Sequence, residues 1–246
     1  MYRKVFLAGA TGAIGTRLLP LLVDARYEVF GSTRSQKKAA ELQAAGVKPV
    51  VVDVFDAPAL SRAVAAARPE VMIHQLTDLP AGLESSGLAE GIARTTRVRK
   101  EGTQNLVAAA LETGVRRLIA QSLACWVYAD GAQPYSESDA LDLRGDGPYA
   151  IVVDGVATLE RLTTTSPPLE GIVLRYGQIY GPGTGFDVAT GWAPLHVDAA
   201  AHAALLAIER GKPGIFNIAE DTGYARLQRH ARAWLGSGLS VRGPTD

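Results

Sequence analysis

The stretch "KVFLAGATGAIGTRLLPLLVDA", residues 4–25, does more than any other to limit what this chain can fold into. A short apolar run (4–8) leads straight into three glycines, Gly9, Gly12 and Gly15, and a helical pattern (13–24) comes immediately after. Glycine at those positions permits a tight strand-to-helix turn, a close approach of backbone to a phosphate, and close packing of helix on strand. The order strand, glycine turn, helix predicts the first βα unit of a parallel sheet. The helix N-terminus then presents free N–H groups to an anion such as the pyrophosphate of a dinucleotide. Gly9, Thr11, Gly12, Ala13, Ile14 and Gly15 are the candidate contacts.

The remainder repeats the same alternation. Strands are expected at 28–32, 48–52, 71–74, 117–122, 171–175 and 214–218, and helices at 36–45, 57–67, 91–113, 148–165 and 197–210. Short β-branched runs alternating with alanine-rich amphipathic segments predict an α/β fold, a doubly wound parallel sheet of Rossmann type. The chain has 246 residues, 47% of them apolar, enough for one sizeable core with a short carboxyl-terminal appendage. Ligands of such sheets bind beyond the carboxyl ends of the strands, so the loops 77–90, 129–148 and 176–195 should build the site.

Charge narrows the partners. Twenty-five basic and twenty-five acidic residues cancel, so neither nucleic acid nor an anionic membrane is expected, and a small molecule is. The opening apolar run is too short for a signal segment and no 18-residue apolar stretch occurs later, which predicts a soluble, cytoplasmic protein. Cys125 is the single cysteine, so no intrachain disulfide and no zinc site are expected.

The end of the second strand bears on the choice of dinucleotide. An acid there would hold a ribose 2′-hydroxyl and repel a 2′-phosphate. This chain reads "GSTRS" instead, with Thr33 and Arg34, and the planar fork of Arg34 suits a phosphate. NADP is therefore expected over NAD. After the third strand, Asp53 and Val54 are placed to meet an adenine edge and face, although Asp53 could equally begin the turn into the next helix. Gln75 and Leu76 at the end of 71–74, and Tyr176 at the end of 171–175, complete the candidate cofactor contacts.

Four motifs then occur in order: "VFLAGATGAIG", "KEGTQNLVAAALETGVRRLIAQS", "VLRYGQIYGPGTG" and "LHVDAAAHAALLAIERGKPGIFNIAED". With them the chain resembles the extended short-chain dehydrogenase/reductase family, in its NAD-dependent epimerase/dehydratase branch. The resemblance implies a Rossmann core over 1–175 and an abbreviated substrate region over 176–246, interleaved with the last core strand and helix. It implies a nicotinamide cofactor and a homodimer formed through the helices near 91–113 and 148–165. It also puts "RYG" (175–177) near the nicotinamide end of the cleft, and has "HVD" (196–198) open a helix that closes over it. The plainer readings of those two are a strand terminus and a helix capped by its aspartate.

The reaction centre departs from that family. Its pattern is Tyr-x-x-x-Lys on a helix with a Ser or Thr nearby; the lysine lowers the tyrosine's pKa so that it can exchange a proton with substrate oxygen. Counting from Tyr149, the lysine position is Val153. Counting back from Glu160, the pair falls on Val152 and Val156. Tyr149 is thus either a catalytic acid one turn out of place or a packing aromatic at the helix mouth. Ser122 is the candidate hydroxyl, since the position four before Tyr128 is Ala124. Arg99 replaces the family's asparagine, and with Arg94, Arg97 and Lys100 is expected on a solvated helix stripe. His74 is a lone strand-end histidine, structural in the simplest reading and an alternative acid in another.

Two functions compete. One is an NAD(P)-dependent oxidoreductase, epimerase or dehydratase transferring hydride on a small hydroxyl- or carbonyl-bearing substrate. The other is a dinucleotide-binding regulatory or sensor protein without chemistry. Only ten residues separate Gly185 from His196, far fewer than the family's substrate region needs. Either the substrate lid is lost or the backbone is interrupted between Gly185 and Trp192; unbroken Cα spacing of about 3.8 Å would exclude an interruption.

Overall fold

Valine, isoleucine and leucine occupy both faces of the central strands, and that composition needs a sheet covered on both sides. In a computed structural model of the chain, residues 2–80, 87–125, 127–131, 135–145, 147–189 and 193–220 are described. The strands are β1 (Lys4–Ala8), β2 (Glu28–Thr33), β3 (Lys48–Val51), β4 (Val71–His74), β5 (Arg117–Leu123), β6 (Glu170–Tyr176), β7 (Gln178–Tyr180), β8 (Pro194–His196) and β9 (Gly214–Ile218). Seven of them form one parallel sheet in the order β3-β2-β1-β4-β5-β6-β9. The chain winds outward from β1 through β2 to β3, then returns to β4 on the other side of β1. The crevice between the ends of β1 and β4 is the switch point at which such sheets bind ligands.

Helices α1 (Ala13–Asp24) and α7 (Val197–Glu209) cover one face, while α2 (Gln36–Ala44) flanks β3. Leu18 and Leu22 of α1 pack there with Ala200, Ala203, Ala204 and Ala207 of α7 in one buried cluster. The small alanines let the two helices approach closely. Helices α3 (Ala57–Ala67) and α5 (Thr103–Thr113) cover the opposite face through Leu60, Val64, Leu106 and Ala110. Arg117, at the start of β5, donates to the carbonyls of Ala207, Ile208 and Arg210 and to Glu170, satisfying the open end of α7.

The seven sheet strands lie within one residue of their expected bounds. Three features were not expected. The helix read as one piece over 91–113 starts earlier, as α4 (Leu88–Arg97), and is broken by a π turn, Val98–Gly102, before α5. A π turn inserts an extra residue and rotates the helix beyond it. Arg99, expected on a solvated stripe, is consequently turned inward and only 7% exposed, while the side chains of Arg94, Arg97 and Lys100 remain half exposed. The loop 176–195 carries the parallel pair β7 and β8, Gln178 facing Pro194. Finally, α7 is capped by His196, whose side chain accepts from the Asp198 amide, rather than by the aspartate. The interruption expected between Gly185 and Trp192 falls partly on residues 190–192, outside the described residues.

Candidate functional site

The glycine loop is built so tightly that two of its glycines leave no room for a side chain unless the backbone shifts. Gly9 has a left-handed backbone (φ +89°), and a Cβ there would stand 2.7 Å from the Gln75 carbonyl oxygen on the neighbouring strand end. A Cβ on Gly15 would collide with the Gly9 carbonyl oxygen. Gly12 ends the turn: its amide donates to Gly9 O at 3.1 Å, and it stands as the N-cap of α1 with no side chain to cap the helix. The first-turn N–H groups at Ala13 and Ile14 therefore keep their capacity for an anion. The loop after β7 passes close above, where a Cβ on Gly183 would lie 3.8 Å from that of Ala13. At the same switch point the side-chain oxygen of Gln75 is buried with no partner among the described residues, an acceptor suited to a hydroxyl or amide donor. A glycine cradle and an orphaned acceptor in one crevice fit a dinucleotide.

At the far end of the crevice, Thr33 is buried and its hydroxyl accepts from the Ser35 amide, while Ser35 caps α2. Arg34 extends into solvent and pairs with Asp78, on the loop after β4, at 3.2 and 3.5 Å. Asp53 is exposed and its carboxylate accepts from the Phe55 amide in a local turn; the residue that caps α3 is Asp56. Val54 is buried against Gly102 of the π turn, and its carbonyl accepts from Asn105. The Leu76 amide donates to Nδ1 of His74. Tyr176 is buried; its hydroxyl donates to the Ala200 carbonyl on α7 and faces the Gln75 amide at 3.4 Å.

Helix α6 (Gly147–Thr164) packs on β5 and β6. Val152, Val153 and Val156, the positions at which either register would put a tyrosine or lysine, are buried. Val153 and Val156 pack with Val127 and Tyr128, and Tyr149, Tyr135 and Leu141 lean on the same cluster. Tyr128 and Tyr135 stack with centroids 4.8 Å apart. Burial, and then the carboxylates of Asp142 and Asp130, push the Tyr149 phenol above its usual pKa. That is the opposite of the activation an adjacent lysine gives.

Ser122 donates to Glu160 at 2.7 Å, and Glu160 also receives two hydrogen bonds from Arg175, at 2.8 and 2.7 Å. Arg175 reaches Tyr128, whose hydroxyl bonds Asn217 on β9. The side chains of Arg175 and Glu160 are 4% and 5% exposed, so this is a fully buried ion pair tying β5, β6, β9 and α6 together. Burial opposes the charge on Arg175, but Glu160 outweighs it and holds the guanidinium above its ordinary range. Arg99 is buried near the same carboxylate and near Cys125; burial lowers its pKa to about 10, so it stays charged at neutral pH. Ser122 and Tyr149 thus have different surroundings, a buried ion pair for one and a packed aromatic cluster near two carboxylates for the other. The Arg175–Glu160 pair was missed in the sequence. Its available signal was an arginine ending the otherwise apolar run "GIVLR", which a buried strand tolerates only with a counter-charge.

His74 is fully buried. Nδ1 accepts from Leu76, so Nε2 carries the proton and donates to Thr103 Oγ1 at 3.1 Å. Burial, with help from Arg99, lowers its pKa to about 4. The folded state then takes up its proton less readily than the unfolded chain does. Its contribution is complete above about pH 6.5 and lost as the pH falls toward 4, about 3 kcal/mol in all. Urea midpoints of the protein should fall across that window, and His74→Gln should flatten the fall; an unchanged slope in the variant would contradict this account of His74.

Comparison with known proteins agrees with this architecture. The model of the NAD dependent epimerase/dehydratase family matches residues 5–193, and the chain belongs to that family. It is 39% identical over 238 residues to a Streptomyces sp. 3-diazoavenalumate denitrifying reductase, covering 89% of this chain and 76% of that protein. Among solved structures it is similar to the UDP-glucose 4-epimerase of Thermotoga maritima with UDP-glucose (21% identical, TM-score 0.69, 88% of this chain and 76% of that one). It is also similar to the Thermus thermophilus UDP-glucose 4-epimerase complexed with NAD (22% identical, TM-score 0.67, 88% and 77%). At those identities the structures share the fold. Among the described residues, no helix is long and apolar enough to cross a membrane, and no group of side chains could hold a metal ion.

Proposed function

We propose that this chain is a nicotinamide-dependent reductase that delivers hydride to a small electrophile without relaying a proton through a tyrosine–lysine pair. The observation that carries the reading is the buried valine at the lysine position of either register, Val153 or Val156, with Val152 at the tyrosine position of the second. The glycine cradle, first turn of α1, Gln75, Thr33 and Arg34 hold the cofactor, with NADP favoured because the end of β2 offers an arginine and no acid. Residues 176–246, interleaved with the last core strand and helix, are the proposed substrate region.

The relative named as a denitrifying reductase of a diazo compound supports an acceptor that needs no acid. When bound, reduced nicotinamide supplies a hydride; at an arenediazonium carbon a C–H bond forms, the C–N bond breaks, and N2 departs with the bonding pair, no proton entering. This chain's residues would contribute the setting. Tyr135 and Tyr149, beside Asp130 and Asp142, would offer aromatic and acidic groups to a cationic head group. Ser122 and Arg175 hold Glu160 in place, and the valines of α6 keep water from the reacting carbon. A substrate bearing a ketone or alcohol is the second candidate, because the family's reactions act on those groups. Incubation with NADPH and 3-diazoavenalumate, beside a panel of small ketones, decides between them. Loss of reduced cofactor with one N2 released per turnover is expected for the diazo compound. Binding of NADPH with no turnover of either class would overturn the reading in favour of a dinucleotide sensor.

The assembly proposed is a homodimer through α4, α5 and α6. Ile151, 53% exposed on α6, supports it, and a monomer mass by light scattering would contradict it.

A further inference from the structure

We infer that Asp78 sets which dinucleotide this site selects, its carboxylate standing in for the acid that the end of β2 lacks. The inference rests on the reading that Arg34 meets the adenosine ribose. In sheets of this topology the residue ending β2 lies against the ribose 2′ position. Arg34 follows directly on Thr33, the residue that ends β2, and the Asp78 carboxylate lies 3.2 Å from its guanidinium. A second arginine, Arg94 on α4, reaches the same carboxylate at 3.6 Å.

The acid is the fixed member of this trio. Its backbone amide donates to Thr95 Oγ1 at 2.9 Å, and Thr95 is buried. Its carbonyl accepts from Arg94. The loop behind it presses on α4 so closely that a Cβ at Gly91 would stand 2.5 Å from the Pro80 ring. The Asp78 side chain is 23% exposed, against 59% for Arg34 and 47% for Arg94. The arginines are therefore the arms that can move, and the carboxylate is the feature a ribose must meet.

Two opposed recognitions result. A carboxylate so placed accepts a hydrogen bond from a 2′-hydroxyl, as the acid at the end of β2 does in NAD-selective sheets. A 2′-phosphate would bond both guanidinium forks but would lie close to the Asp78 charge and compete with it for both arginines. The wild-type preference for the phosphorylated cofactor is thus held below what the two arginines alone would give, and neutralising Asp78 raises it.

Fluorescence titration of the full chain with NADPH and NADH tests this in the wild type and in Asp78→Asn, Asp78→Ser and Arg34→Ala. Removing the charge should raise the ratio of NADPH to NADH affinity by about tenfold in both Asp78 variants, the size expected for one like-charge contact near a protein surface. Arg34→Ala should weaken NADPH selectively. Equal losses of both cofactors in Arg34→Ala would overturn the phosphate reading and the inference with it. A selective loss there, with the ratio in the Asp78 variants within about twofold of wild type or moved toward NADH, would overturn the role of Asp78 alone.

Discussion

Glu160→Ala should lower the thermal midpoint by about 6–20 °C. The variant leaves Arg175 buried with its carboxylate gone, and breaking one side of a buried pair costs about 3–5 kcal/mol; in a chain of this size each kcal/mol moves the midpoint by about 2–4 °C. Three facts put the value toward the upper end. Glu160 accepts from Ser122 as well as twice from Arg175, and Arg99 also loses a carboxylate that offsets its burial. The network joins three strands to α6, so the loss is not confined to one element. Ser122→Ala removes one hydrogen bond to a charged group and should cost about 1.5–3 kcal/mol. A scanning calorimetry shift for Glu160→Ala no larger than that for Ser122→Ala would show that the pair is not the keystone described.

Gly15→Ala should weaken dinucleotide binding by about 10–100-fold, or about 1.4–2.8 kcal/mol, and cost a further 1–3 kcal/mol or so of stability. The added methyl collides with the Gly9 carbonyl and stands 2.7 Å from that of Ala10. Both obstacles are backbone, so relief requires α1 to shift away from the turn. Gly12→Ala is the control. Its φ of −84° suits any residue, and its nearest obstacle is the Gly9 oxygen at 3.4 Å. It should therefore fold within about 0.5 kcal/mol of wild type, and any loss of NADPH affinity in it reports on the cradle rather than on folding. Full NADPH affinity in Gly15→Ala would contradict the cradle.

The fold was legible because buried parallel strands and amphipathic helices have different periods. "VMIH" and "GIFNI" could hardly be anything but strands, and the glycine order placed a dinucleotide contact at the end of the first strand. What was not legible depends on rotation and distance. The π turn at 98–102 leaves the apolar pattern of α4 and α5 nearly intact yet turns Arg99 from solvent to core. The pairing of Asp78 with Arg34 joins residues 44 apart, and nothing in either local stretch announces the other. For Ser122 and Tyr149 the sequence supplied two hydroxyls at plausible positions, while their surroundings come only from packing. Glu160, read as a register mark on the helix, also anchors Ser122 and Arg175.

The central claim is hydride delivery without a protein acid, and Tyr149→Phe tests it most directly. With NADPH and 3-diazoavenalumate, kcat in the variant should remain within about twofold of wild type, whereas removal of a true general acid costs about 10²–10⁴-fold. A collapse of that size, with NADPH affinity and the thermal midpoint unchanged, would contradict the account and make Tyr149 the proton donor.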